Sequence, residues 1–154
     1  MQNSGSKSTP EVAVKPPSRL KDQLAYIIAC VNRQIEEDLH ERLRPAGVAP
    51  DQLRILEVLQ GSDGRSMGEL ASLALIEPTT LTKVIDRMVS NSLVYRLPDP
   101  ADRRRVLIRI APAGQALFRR LDRISSAVEE RLQRQVPPEK LDELRGLLLR
   151  LMEG

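Results

Sequence analysis

The sequence predicts a mainly α-helical protein that carries one small β-hairpin, and three observations predict it. Apolar residues recur at spacings of three and four through most of the chain from Leu20 onward, the period of a helix with one covered face. Between residues 93 and 110 that period gives way to short apolar runs on either side of Pro98-Asp99-Pro100, a turn signal flanked by strands. The helical segments at the two ends have apolar faces broader than a small central head can cover. Mutual burial with a second copy is the economical solution.

Residues 1–18 are polar and rich in Ser and Pro, and they bury too little surface to offset the entropy of ordering. They are expected to form a flexible arm, which has no role, adds weak phosphate contacts through Lys7 and Lys15, or crosses the dimer partner. From Leu20, the residues Leu24, Ile27, Ile28, Val31, Ile35 and Leu39 mark one long helix through Leu43, stopped by Pro45 and Gly47. This segment, 19–47, is the expected N-terminal dimerisation helix. Pro50-Asp51 opens a second helix, with Leu53, Leu56 and Leu59 as its stripe, widened by Ile55 and Val58, and ended by the turn at 61–64. Ser66 with Glu69 three residues later is a capping-box signature that opens a short helix to about Leu73.

Pro78 suits the first turn of the next helix, whose buried face is Leu81, Val84, Ile85 and Met88. Leu93-Val94-Tyr95 reads as a strand. Val106, Ile108 and Ile110 then alternate with Leu107 and Arg109, as in a half-buried strand. The head so defined spans 48–111. After Pro112 a long helix carries Leu117, Leu121, Ile124, Val128 and Leu132. Pro137-Pro138 breaks it, and Leu141, Leu144, Leu147, Leu148 and Leu151 mark a last helix. These two make residues 112–154 the C-terminal dimerisation helices.

Composition narrows the function classes. The 154 residues carry a formal charge of +3, 41% apolar and only 2% aromatic residues, so the core is built of Leu, Ile and Val. The charge is local: Arg96, Arg103, Arg104, Arg105 and Arg109 face only Asp99 and Asp102 in the hairpin, a directed basic patch. One cysteine, Cys30, allows no intrachain disulfide framework, which fits a reducing cytoplasm. No apolar run is long enough for a membrane span or a signal peptide, and a cytoplasmic protein is expected. With His40 as the only histidine, no metal-ligand cluster and no Ser-His-Asp or Cys-His arrangement can be assembled. Glycine loops that cradle phosphate are absent. Neither catalysis nor a cofactor is expected.

A polar helix followed at once by an arginine-tipped hairpin suits a DNA duplex. The helix enters the major groove, and the hairpin reaches phosphates or the minor groove beside it. Pro78, Thr79, Thr80, Thr82 and Lys83 occupy the early turns, opposite Leu81 and Val84, and Arg87 continues the face from Lys83. Asp86 would repel phosphate and is assigned to local pairing, either with the neighbourhood of Arg87 or with the wing. Asp102 and Arg104 stand two apart, so on an extended segment the carboxylate can hold the guanidinium in one rotamer. Arg103 lies at the tip. The fold these features make is a winged helix-turn-helix with a helical dimerisation layer.

Residues 66–114, SMGELASLALIEPTTLTKVIDRMVSNSLVYRLPDPADRRRVLIRIAPAG, closely resemble the winged-helix core of the multiple-antibiotic-resistance regulator (MarR) family. The helix-turn-helix, the DPADRR wing and the alternating strand before a Pro-x-Gly helix start occur in the family's order. The resemblance implies a homodimeric regulator, usually a repressor, on a palindromic double-stranded operator, often released by a small aromatic ligand. It also implies that Asp102 orders Arg104 for the minor groove. The chain departs from the pattern at Leu75, where a small residue or glycine is usual, at Glu77, where Ser, Thr or Asp is common, and at Ile110-Ala111 in place of Leu-Thr.

Family members commonly bind effectors where the first two long helices meet the reading head. The candidates there are Tyr26, Arg33, His40, Asp51 and Gln52, and an arginine beside hydrogen-bonding groups suits an aromatic carboxylate. Cys30 is expected to be a core thiol. The reactive cysteine of the family's peroxide-sensing branch sits nearer the helix start, at the place of Ala25. A protein-interaction or scaffold module without operator specificity is the alternative function. A scaffold has no need of the polar 79–83 face or the basic wing.

Overall fold

The computed structural model describes residues 14–154. Most of the proposed arm, with Lys7, lies outside them. Seven α-helices and three strands follow in order among the described residues: α1 Ser18–Lys21, α2 Leu24–Leu43, α3 Pro50–Leu59, β1 Arg65–Ser66, α4 Met67–Ala74, α5 Pro78–Ser90, β2 Val94–Pro98, β3 Val106–Ile110, α6 Pro112–Gln135 and α7 Pro138–Glu153. The chain divides within α2, between Gln34 and Ile35, into two compact units.

In the first unit, the single long helix expected from Leu20 is interrupted. The Gln23 N–H bonds the carbonyl of Leu20, a three-residue step, before regular bonding resumes from Ile27 to Gln23. The tight turn separates α1 from α2, and apolar spacing carries no signal of it. Leu24, Ile27, Ile28 and Val31 are all exposed, so the apolar face of this half of α2 is bare.

In the second unit, α3, α4, α5 and the sheet enclose one core of Ile55, Leu56, Leu59, Leu70, Ala74, Leu81, Ile85, Met88, Val94, Ile108 and Ile110. A second cluster, Leu43, Val48, Leu53 and Leu121, ties the end of α2 and the start of α3 to α6. Leu121 and Val128 are buried within the chain itself, so the stripe of α6 is largely covered without a second copy. By contrast α7 buries no residue, and Leu144, Leu147, Leu151 and Met152 are exposed. The expected two-stranded hairpin is a three-stranded antiparallel sheet in the order β1-β3-β2. Arg65 pairs with Ile108 and Ser66 with Leu107. A two-residue strand is too short to show alternation in sequence.

Prolines stand in the first turn of α3, α5, α6 and α7, where the missing N–H costs nothing and φ is already helical. Gly114, in the first turn of α6, permits close approach to the backbone of Leu93, just before β2. A Cβ there would stand 2.1 Å from the carbonyl oxygen of Leu93.

Helix α4 is fixed at both ends. At its start Ser66 and Glu69 form the expected reciprocal cap. The Ser66 N–H donates to Glu69 Oε2 at 2.8 Å, and the Glu69 N–H donates to Ser66 Oγ at 3.2 Å. The Ser66 backbone bond first, then its hydroxyl, with Arg65 and Arg105 nearby, hold the Glu69 carboxyl below the ordinary carboxylate range. At the other end Leu75 adopts φ 56°, ψ 44°, a left-handed C-cap, with its side chain 82% exposed.

Each end yields a prediction. A depressed folded pKa means that the cap contributes fully at neutral pH and is lost as pH falls through the lowered value. In an NMR titration Glu69 should therefore titrate below ordinary glutamates, and Ser66→Ala should move its midpoint part of the way back up. An ordinary midpoint in the unmodified protein would contradict the cap. For Leu75→Gly, removing the left-handed Cβ relieves about 1–2 kcal/mol. The extra backbone entropy of glycine costs about 0.5–1 kcal/mol. Thermal unfolding should show Tm raised by about 1–4 °C. A lowered Tm would show that the leucine makes contacts that outweigh its strain.

Candidate nucleic-acid interface

Helix α5 has two faces. Leu81, Ile85 and Met88 are fully buried, while Pro78, Thr79, Thr80, Thr82, Lys83 and Arg87 are exposed. Val84, expected in the core, is only partly buried and packs at its margin. All six residues assigned from sequence to the reading face therefore share the outer side of one helix. Glu77 precedes them without a side-chain capping bond, so the helix start keeps free N–H groups. Thr82 Oγ1 donates back to the carbonyl of Pro78 at 3.1 Å. With its proton held there, Thr82 faces outward as an acceptor.

Asp86, the one acid on this helix, pairs with Arg96 on β2. That ion pair joins the helix to the first strand of the hairpin, neutralises a charge that would repel phosphate, and selects the wing over the neighbourhood of Arg87 as the partner of Asp86. In the sequence Arg96 is simply one member of the basic patch. Its place on β2, facing α5, is what single-sequence spacing does not reveal.

The hairpin tip, residues 99–105, is a closed turn rather than an extended segment. The Asp99 N–H donates to the Arg105 carbonyl and the Arg105 N–H to the Asp102 carbonyl, both at 2.9 Å. Asp99 Oδ1 accepts from the Ala101 N–H at 2.9 Å. Asp102 Oδ1 accepts from the backbone N–H of Arg104 at 3.0 Å, so the expected carboxylate–guanidinium clamp is replaced by an Asx-type turn. The expectation assumed extended backbone. In a turn the nearest donor to the carboxylate is the N–H two residues on. Asp102 orders the backbone from which Arg104 projects, and Arg103 and Arg104 are left exposed at the tip. At the wing's base Arg109 approaches Asp63 at 3.8 Å.

The effector candidates fall in both units. In the first, Tyr26 hydrogen-bonds Cys30, and that bond, more than its burial, pushes the phenol pKa up. Arg33 is exposed, and Cys30 is partly buried. In the second unit His40 is exposed. Asp51 and Gln52 line a cleft of about 120 Å³ together with Ala49, Lys83, Val84 and Arg87. Gln52 is 7% exposed, and its Oε1 accepts from the Ala49 N–H at 2.9 Å, so part of its polarity is spent on closing the start of α3. The cleft thus unites two effector candidates with two cations of the reading face, a meeting that the sequence did not suggest. Among the described residues no group of three or more His, Cys, Asp or Glu could hold a metal, and no helix is long and apolar enough to cross a membrane.

Comparison with known proteins gives this geometry a family. Residues 48–106 match the MarR family model. The multiple antibiotic resistance protein MarR of Escherichia coli is 30% identical over 94 residues, 61% of this chain and 65% of that protein. The homoprotocatechuate degradative operon repressor of Escherichia coli is 32% identical over 97 residues, 63% of this chain and 66% of the repressor. The aligned stretch spans a little under two thirds of each relative's length. The crystal structure of a mutant Escherichia coli MarR complexed with operator DNA is 26% identical, with a TM-score of 0.76 over 83% of this chain and 92% of that one. In its winged-helix core, its element order and these matches, the chain is similar to the regulators of the MarR family.

Proposed function

We propose that this chain is a homodimeric transcriptional repressor that reads a palindromic DNA operator and is released by a small aromatic acid. The carrying observation is the outer face of α5. Pro78, Thr79, Thr80, Thr82, Lys83 and Arg87 are presented together beside a wing tip bearing Arg103 and Arg104. Thr80, Thr82 and Lys83 choose sequence. Thr82, as an acceptor, complements an adenine or cytosine amino group in the major groove. Asp102 shapes the tip, and Arg103 and Arg104 supply affinity through phosphates or the minor groove.

The bare apolar residues of α2 and of α7 support self-association, since faces of this kind are covered in a stable homodimer. The cleft of Asp51, Gln52, Lys83 and Arg87 supports the effector reading, because a carboxylate drawn to Lys83 or Arg87 competes for cations that DNA would use. Tyr26 and Arg33 in the first unit, and His40 in the second, are effector candidates on the family resemblance alone. One relative is named as the repressor of a homoprotocatechuate degradative operon, which favours an aromatic acid as the class. The ligand must prefer a conformation whose reading helices do not match two grooves, since equal affinity for both states shifts nothing.

Two outcomes test this reading. Arg104→Ala should weaken binding to all DNA sequences and flatten the log K against log salt line by about 0.9, the loss of one phosphate contact. Unchanged affinity and slope would remove the wing from the interface. In a DNA-release assay with benzoate, salicylate and pyridine carboxylates, at least one should lower operator affinity. Release by none of them, with peroxide release that depends on Cys30, would replace the aromatic effector with redox sensing.

A further inference from the structure

Arg54 sits on α3, away from the reading face, with 30% of its side chain exposed. Its Nη2 pairs with Glu36 on the C-terminal half of α2. Its Nη1 donates to the carbonyl of Ala74 at 3.3 Å and stands 3.9 Å from Asp51 Oδ1. One guanidinium thus joins α2, α3 and the last turn of α4. The Ala74 carbonyl is one of the end groups that an α-helix leaves without an internal partner. It immediately precedes left-handed Leu75, the residue that turns the chain toward α5. Glu36 is itself only 33% exposed, so both charges are partly withdrawn from water and the pair is less screened than a surface one.

A planar, forked cation is suited to this position. It can hold a carboxylate with one edge and a carbonyl with the other, and an ammonium group would satisfy them less well. Both terminal nitrogens of Arg54 are engaged within the chain, and it is not among the residues exposed on α5 or the wing. A second brace runs nearby. Asp38, also on the C-terminal half of α2, accepts from Arg42 at 3.1 Å and meets Arg131 of α6 at 3.2 Å. The Asp38 brace fixes helices to one another. Only the Arg54 bridge reaches the turn that aims α5.

We propose that Arg54 is a positioning residue for DNA recognition: with Glu36 and the Ala74 carbonyl it locks the helix-turn-helix turn to α2. This rests on the operator-binding reading above. In a dimer, two reading helices must meet two grooves at once, and angular slack in either head lowers the effective concentration of the second contact. Slack is of little consequence when one head meets one half-site.

The experiment uses the full chain and a duplex selected by the unmodified protein from random DNA, together with the same duplex cut to one half-site. Arg54→Met and Glu36→Gln should each weaken full-site binding about tenfold, within the range for coupling through a packed network. Half-site affinity and the salt slope should stay unchanged, and the double variant should lose no more than the worse single one. Arg54→Lys should recover only part of the loss. Thermal unfolding is followed in parallel, and the full-site loss should persist at temperatures where every variant is fully folded. Equal losses on full and half-sites, or a slope lowered by about 0.9 as for a phosphate contact, would overturn the positioning role. So would unchanged full-site affinity. If the unmodified protein selects no duplex at all, the operator reading itself fails, which separates the two failures.

Discussion

The rest of this structure depends on the burial of one face of α5. Leu81, Ile85 and Met88 are completely enclosed by α3, α4 and the sheet. Each such side chain contributes about 1.5–3 kcal/mol on burial, so the three together approach the whole net stability of an ordinary domain, about 5–15 kcal/mol. The helix therefore cannot roll without unfolding the head. Because side chains on a helix repeat every 3.6 residues, fixing that apolar stripe also fixes Thr79, Thr80, Thr82, Lys83 and Arg87 outward. Core packing and the direction of the reading face are one constraint.

The ion pairs act on a different scale. Asp86 and Arg96 are both exposed, 60% and 40% in their side chains, and such pairs stabilise a fold by about 0–1 kcal/mol. Their consequence lies in charge placement. Pairing neutralises the one acid on the outer side of α5, and it sets the first wing strand against the helix. Within the wing the bonds are mostly to backbone: Asp99 to Ala101 and Asp102 to Arg104. A turn held by its own carboxylates leaves its arginines uncommitted, which suits side chains whose partner is another molecule.

Sequence exposed the local features well. The Ser66–Glu69 cap, the helix-opening Pro50 and Pro78, and the stripes Leu53, Leu56, Leu59 and Leu81, Ile85, Met88 all act over one or two turns, so spacing alone carries them. The order of the elements followed, and so did the exposed reading face. What escaped was non-local or conformational. Strand β1 exists only through pairing with Ile108 and Leu107 far along the chain. The break between α1 and α2 is a backbone event among unremarkable side chains. Asp102 was assigned to the Arg104 guanidinium because an extended segment was assumed, and the turn redirected it to the Arg104 N–H. Arg54 drew no notice because its partners, Glu36 and the Ala74 carbonyl, lie on other helices. The left-handed Leu75 was legible only as a departure from the family's pattern, at a place where the geometry favours glycine.

The proposed function requires that a rigid, outward-facing α5 be used in pairs on one duplex. Hydroxyl-radical footprinting on a selected duplex, with sedimentation equilibrium of the same complex, tests it most directly. Two chains per duplex are expected, with two protected patches on one face of the DNA, related by inverted symmetry and separated by about 34–36 Å, one helical turn. A complex of one chain per duplex, protecting a single patch at full affinity, would contradict it.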